Sequence, residues 1–288
     1  MACPASLRDG AFRGIVRKPL VGAAACDTDG GLWSRAARTE PPEGGGALAH
    51  ERWSGARPFG SAGRRAGGPG GHAAGLRGPG GAVTLDGLNF LAHLYLADPS
   101  PESMLGNLLP DLHRGRLDTS VLSTAVQNGV IRHRRVDAFT DTHPVFERSR
   151  ARLRGELGHF AGVVVDVIYD HCLSVGWTRY HPQPRTAFLE EAYAGLRGSA
   201  GVLAPRTRVV LAMLCDEDWI TPYGCVEGVR HTLVRLSARV FERSGRRVRL
   251  ETAADVLERE PSGFFDDFSE FFPELMHYVG IDHREARC

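Results

Sequence analysis

The stretch His159–Trp177, HFAGVVVDVIYDHCLSVGW, is the most apolar in the chain and admits two readings. Its β-branched run Val163–Val165 suits a buried strand, but strands usually end after roughly four to eight residues and this segment runs on well past that. The polar groups decide. Asp166 and Asp170 stand four apart with His171 adjoining, the spacing of one helical face. The segment is therefore a buried helix, and carboxylates on so apolar a helix need partners or a metal.

Upstream the same pattern recurs. In GVIRHRRVDAFTDTH (129–143), His133, Asp137 and Asp141 follow at intervals of four, between Val130, Ile131, Val136, Ala138 and Phe139. In LNFLAHLYLA (88–97) the only polar breaks are Asn89 and His93, and in SMLGNLLPDLHRG (103–115) Asn107 and Asp111 repeat the spacing among leucines. Asp98-Pro-Ser-Pro should end the first of these helices, and Pro110 should kink the second. Asp118 or Thr119 is expected to cap the long helix that follows. A stop at Thr142 or His143 and a restart at Pro144 lead into PVFERSRARLRGEL. That helix turns Val145, Leu153 and Leu157 inward and presents Arg148, Arg150, Arg152 and Arg154 as a solvated basic face.

Downstream come three more helical patterns, TAFLEEAYAGLRG, RTRVVLAMLCDEDWI and YGCVEGVRHTLVRLSARVF. The segment PSGFFDDFSEFFPELMHYVG closes the series, its Phe264, Phe268, Phe271 or Phe272 and Leu275 forming a stripe read as core, with the lining of a channel for a long thin substrate arm as the alternative. No alternating strand and no repeat stands out, so the expected fold is an all-α helical bundle.

The first 87 residues differ in kind. They hold 20 of the 35 glycines and almost no apolar periodicity, so they cannot bury enough surface to offset their ordering entropy. Residues 1–86 are expected to be a disordered Gly/Arg-rich extension or a mis-assigned start, with translation beginning near Val83 or Leu88, and residues 87–283 one all-α domain. Arginine and lysine exceed acids by 11 to 7 in residues 1–87 and fall short by 24 to 27 afterwards, so neither part (+4 and −3) is basic enough to suggest a nucleic-acid partner. No run reaches the roughly 18 apolar residues of a membrane span, and the expected location is cytoplasmic. Six scattered cysteines without a CxxC spacing indicate neither a disulfide framework nor a thiolate zinc site.

Four helices thus offer polar groups from apolar faces: Asn89/His93, Asn107/Asp111, His133/Asp137/Asp141 and Asp166/Asp170/His171. Convergence on one metal is the simplest account, as in helical bundles that hold metals. A nitrogen and oxygen donor set without thiolate suits Mn²⁺, Mg²⁺, Fe²⁺ or Zn²⁺, and such an ion can activate water and neutralise a phosphoryl oxygen. Arg132, Arg134 and Arg135 could hold a phosphate, or form an exposed turn paired with surface acids. Metal-assisted phosphoester hydrolysis is the reaction class these residues favour.

The motifs NFLAHLYLA, GNLLPDLHRG, IRHRRVDAFTDTHP and VDVIYDHCL, in this order, resemble those of the bacterial acyl carrier protein phosphodiesterases, from about Leu88 to Val279. The resemblance implies a fold related to HD-domain phosphohydrolases, a divalent metal such as Mn²⁺, and removal of 4′-phosphopantetheine from the serine of holo acyl carrier protein. It implies His93, Asp111, His133, Asp137, Asp170 and His171 as metal ligands, and Asn89 and Asn107 as groups that orient them. Asp141 or Asp166 would manage the proton and Arg134 would hold phosphate. Pro110 departs from the family pattern. Two other readings stand beside this one: an HD-type hydrolase of nucleotides or small phosphoesters, and a helical module that binds a carrier protein without catalysis. The last requires the four polar groups to face different directions.

Overall fold

A computed structural model describes residues 89–281, and the expectations for residues 1–86 lie outside them. The described chain is all-α, with no strand among the described residues. Its helices are α1 (Phe90–Tyr95), α2 (Pro101–Leu112), α3 (Thr124–Thr142), α4 (Pro144–Leu157), α5 (Ala161–Val175), α6 (Arg185–Ser199), α7 (Pro205–Asp216), α8 (Val226–Ser244), α9 (Thr252–Arg259) and α10 (Pro261–Tyr278). None of them is long and apolar enough to cross a membrane.

The helix ends follow local chemistry. Ser100 Oγ accepts from the Ser103 amide ahead of α2, which starts with Pro101. His143 ends α3 and begins α4: its Nδ1 accepts from the Val145 amide, and Pro144 occupies the first helical position. The cap of α3 corrects the sequence expectation. Ser123 Oγ accepts from Val126 N, while Asp118 closes a separate turn onto Ser120 and Leu122 is buried between them. Pro110 falls in the last turn of α2, two residues before its end.

The closest packing joins α2 to α3. A Cβ on Gly129 would lie 2.5 Å from Ser103 O and 2.8 Å from Gly106 Cα; one on Gly106 would lie 2.1 Å from Val126 O. The two helices therefore cross backbone to backbone, and this crossing brings the Asn107 carbonyl onto α3.

At the other side, α4 and α10 are clasped through Asp267. This buried carboxylate accepts from Arg148 Nε (2.6 Å), Ser149 Oγ (2.7 Å) and Arg152 Nε (3.4 Å). The four arginines of α4 are thus not one solvated face. Arg148 and Arg152, four apart, grip α10, whereas Arg150 lies on the opposite side, next to Gly162 of α5. The α10 stripe is core: Phe264, Phe268, Phe271 and Phe272 are at most 2 % exposed, which leaves no room for a channel among them. Helix α9 escaped the sequence reading because its eight residues bury only Ala253, Ala254 and Leu257.

Candidate metal centre

Three elements build the site. Helix α1 supplies His93, the end of α2 supplies Asn107 and Asp111, and the middle of α3 supplies His133 and Asp137. His93 and His133 stack with ring centroids 4.2 Å apart and planes 23° apart, and both are buried. Nε2 of His133 lies 2.9 Å from Asp137 Oδ2 and 3.6 Å from Asp111 Oδ1; Nε2 of His93 lies 3.4 Å from Asp137 Oδ1. One ligand atom each from His93, His133 and Asp137 falls within 4.8 Å of the others.

Asn107 fixes which nitrogen of each ring faces inward. Its Nδ2 donates to the His93 carbonyl at 2.8 Å, which orients the amide so that Oδ1 meets His93 Nδ1 at 3.2 Å. Its backbone carbonyl meets His133 Nδ1 at 2.7 Å. An oxygen acceptor on each Nδ1 places a proton there, leaving Nε2 to point at the carboxylates. Burial, and then the neighbouring His133, lower the His93 pKa, so the ring is neutral and its Nε2 is a bare lone pair. That atom is buried and makes no hydrogen bond. A lone pair facing a carboxylate oxygen at 3.4 Å repels it unless a cation lies between them. The residues fit a divalent ion: donors at about 2.1 Å from a shared centre are roughly 3–4 Å apart, as here. Burial pushes the Asp137 carboxyl up, yet the imidazoles of His133 and His93 beside it hold it well below the usual carboxylate range.

The remaining sequence candidates divide. Asp166 of α5 lies among carboxylates: burial first, then Asp137, Asp170 and Asp141, push its pKa well above the ordinary value, with Arg150 opposing them. Asp141, one turn beyond Asp137, is exposed on the outer side of this acidic cluster. Asp170 has another task. Its carboxylate accepts from the amides of Leu91 (2.8 Å) and Ala92 (2.9 Å), capping α1 where Asn89 supplies no side-chain bond. Burial pushes its pKa up to about 8, against the pull of those amides. His171 is buried: Nδ1 meets the Tyr223 carbonyl at 2.7 Å, the ring lies edge-on to Phe265, and Nε2 makes no hydrogen bond. Asn89 is buried at the start of α1 with Oδ1 unbonded.

Among the arginines, Arg132 donates to Asp98 and to the Val279 carbonyl, and Arg135 donates to the Tyr278 carbonyl and stacks on its ring. These two tie α3 to the end of α10 instead of forming a phosphate clamp. Arg134 is exposed. The residue missed from sequence is Arg150, whose Nε is buried without a hydrogen bond and whose charge reaches Asp166. Its signal lay in the alternation 148/152 against 150/154, which puts Arg150 on the α5 side of α4.

A family profile described as "Acyl carrier protein phosphodiesterase" matches residues 88–275. Proteins named acyl carrier protein phosphodiesterase from Salmonella agona (strain SL483), Salmonella dublin and Salmonella newport (strain SL254) are each 32 % identical over 193 residues, 66 % of this chain and 96 % of theirs. No solved structure matches the chain.

Proposed function

The chain belongs to the acyl carrier protein phosphodiesterase family, and from that premise we propose that it hydrolyses 4′-phosphopantetheine from holo acyl carrier protein with the help of a divalent metal, Mn²⁺ foremost. The observation that carries this reading is the pair of imidazole Nε2 atoms held by Asn107 against Asp137. His93, His133 and Asp137 would hold the ion, with Asp111 beside them. When bound, it would polarise the phosphoryl group and lower the pKa of water.

The chain's own residues would do the rest. Asn107 keeps both rings in the tautomer that binds metal. A water oxygen attacks phosphorus, the bond from phosphorus to the serine oxygen breaks, and the phosphate leaves on pantetheine as a monoester. Asp166 and Asp141 would take the water proton and return one to the serine oxygen. Arg150, facing Asp166 from α4, is better placed than Arg134 to hold a phosphate oxygen. Convergence of His93, His133 and Asp137 speaks against a non-catalytic module, and the absence of any lysine after Lys18 speaks against a nucleotide phosphate site.

The test is to incubate the purified chain with holo acyl carrier protein and Mn²⁺ and follow the loss of the phosphopantetheine mass. Asp137→Asn keeps the side-chain shape and removes the charge, so release should fall by roughly two powers of ten, about 2.7 kcal/mol. A variant that melts lower yet turns over at the parental rate would take Asp137 out of the site.

A further inference from the structure

We infer that Thr140 of α3 is a further substrate-binding residue, its hydroxyl donating to a phosphoryl oxygen of the diester; this rests on the reaction proposed above. Hydroxyls on the helices of this fold commonly bond the carbonyl four residues back. Thr142 does so to Ala138 (2.9 Å), Thr232 to Gly228 (3.0 Å), Ser237 to Leu233 (2.9 Å) and Ser244 to Val240 (2.7 Å). Thr140 has the Val136 carbonyl at the same offset and leaves it alone: its Oγ1 is buried and makes no hydrogen bond. An unmade bond at a buried hydroxyl costs free energy, so the side chain is held for a partner that comes from outside the chain.

Helix phase aims this hydroxyl at the metal centre. At roughly 100° per residue Thr140 lies within about 20° of His133 and about 60° of Asp137, on the face that both present to the site, and about 4.5 Å beyond Asp137 along the axis. Thr140 is only 6 % exposed, whereas the Asp137 side chain, at 37 %, keeps the site open to solvent. The opposite wall is α5, where Asp166 feels the charges of Asp137 and Asp141 from α3 and of Arg150 from α4. Arg150 likewise keeps its Nε buried without a hydrogen bond. Two unused donors, Thr140 Oγ1 and Arg150 Nε, therefore flank the acids of α3 and α5 from neighbouring helices.

The occupant must bring acceptors. A phosphodiester brings two non-bridging oxygens that share one negative charge, and it needs donors that the surrounding carboxylates do not capture. A second cation here would be drawn into an ion pair with Asp137, Asp141 or Asp166, but a hydroxyl is neutral and none of these acids accepts from it. It stays free to donate when the phosphoryl group arrives, and its bond strengthens as charge grows on those oxygens during attack by water. The free protein bears the unmade bond and the complex makes it, as in other pre-organised sites.

The experiment uses the full chain with Mn²⁺ and holo acyl carrier protein, and compares Thr140→Val with Thr140→Ser. Valine keeps the shape and the β-branch, and serine keeps the hydroxyl. Thr140→Val should lower kcat/KM, and weaken binding of inorganic phosphate, by at least about tenfold. The same variant without metal should melt no lower than the parent, because a buried, unbonded hydroxyl has gone. Thr140→Ser should melt lower, having lost a buried methyl, and keep kcat/KM within about threefold. A merely structural threonine would rank the two variants alike in stability and in turnover. Unchanged kcat/KM and phosphate affinity in Thr140→Val overturn the contact. So does a lower melting temperature in Thr140→Val, because the hydroxyl would then hold a resident water in the free protein. If the parent releases no phosphopantetheine, the proposed reaction fails on its own, and the phosphate affinities still decide the role of Thr140.

Discussion

Asn107→Ala should uncouple metal binding from the fold. The side chain is fully buried and makes two hydrogen bonds to His93, one through Nδ2 at 2.8 Å and one through Oδ1 at 3.2 Å. Its loss leaves a buried carbonyl and a buried ring N–H without partners, at about 1–3 kcal/mol for the two together once the remaining structure relaxes. The second consequence is chemical: His93 is freed to take either tautomer, and loss of such an orienting partner typically weakens metal affinity by about 10–100-fold. His133 serves as an internal control, because its Nδ1 is held by the Asn107 backbone carbonyl, which alanine keeps. Thermal unfolding with and without Mn²⁺ separates the two effects. With Mn²⁺ at 100 times the parental Kd, the ion should stabilise the parent by about 2.7 kcal/mol, and a 100-fold weaker variant by only about 0.4 kcal/mol. A variant that loses stability in the absence of metal but keeps the full Mn²⁺ increment would refute the tautomer argument.

The other expectations are simpler. Gly129→Ala forces a methyl to within 2.5–2.8 Å of backbone on α2, so it should cost about 3 kcal/mol of stability, measured by denaturant unfolding, and also weaken Mn²⁺ binding by moving the Asn107 carbonyl; a neutral result would mean that the helices can part freely. Chelation by EDTA should stop phosphopantetheine release and leave helical circular dichroism intact, since a core of this extent does not depend on one ion; loss of helix would make the site structural. Deletion of residues 1–86 should leave turnover and melting temperature unchanged, because that stretch carries no periodic apolar face, and an unfolded or inactive product would contradict this.

Spacing alone revealed every helix but α9 and most of the candidate metal centre, because i, i+4 recurrence is a property of one chain segment. His133 and Asp137 share a face of α3 whatever packs against it, and His93 and Asn107 stood out as polar breaks in leucine-rich runs. What spacing cannot convey is which neighbour each face meets. Asp166 and Asp170 are one turn apart on α5, and nothing local separates them; yet Asp166 sits among the acids of α3 and Asp170 reaches the amides of α1. The arginines show the same limit. Arg132 and Arg135 adjoin the metal residues in sequence, but the end of α10 claims them, while Arg150, remote in sequence, is brought beside Asp166.

That division of labour explains how a helix as short as α1 can carry a candidate ligand. Six residues are too few for a stable isolated helix, because nucleation costs more than so few hydrogen bonds return. Other parts of the fold must therefore hold its ends. At the N-terminus, two unsatisfied amides and the positive end of the helix dipole meet the Asp170 carboxylate of α5. At the C-terminus, the His93 carbonyl receives the Asn107 amide of α2. Between these clamps every residue of α1 is buried, so His93 has neither a helix end to fray with nor solvent to swing into. Asp170 and Asn107 thus hold α1 rigid, and the result is one imidazole nitrogen fixed in place opposite Asp137. On the proposed function, a His93 held this firmly, with its Nδ1 already protonated, would bind an ion before substrate arrives.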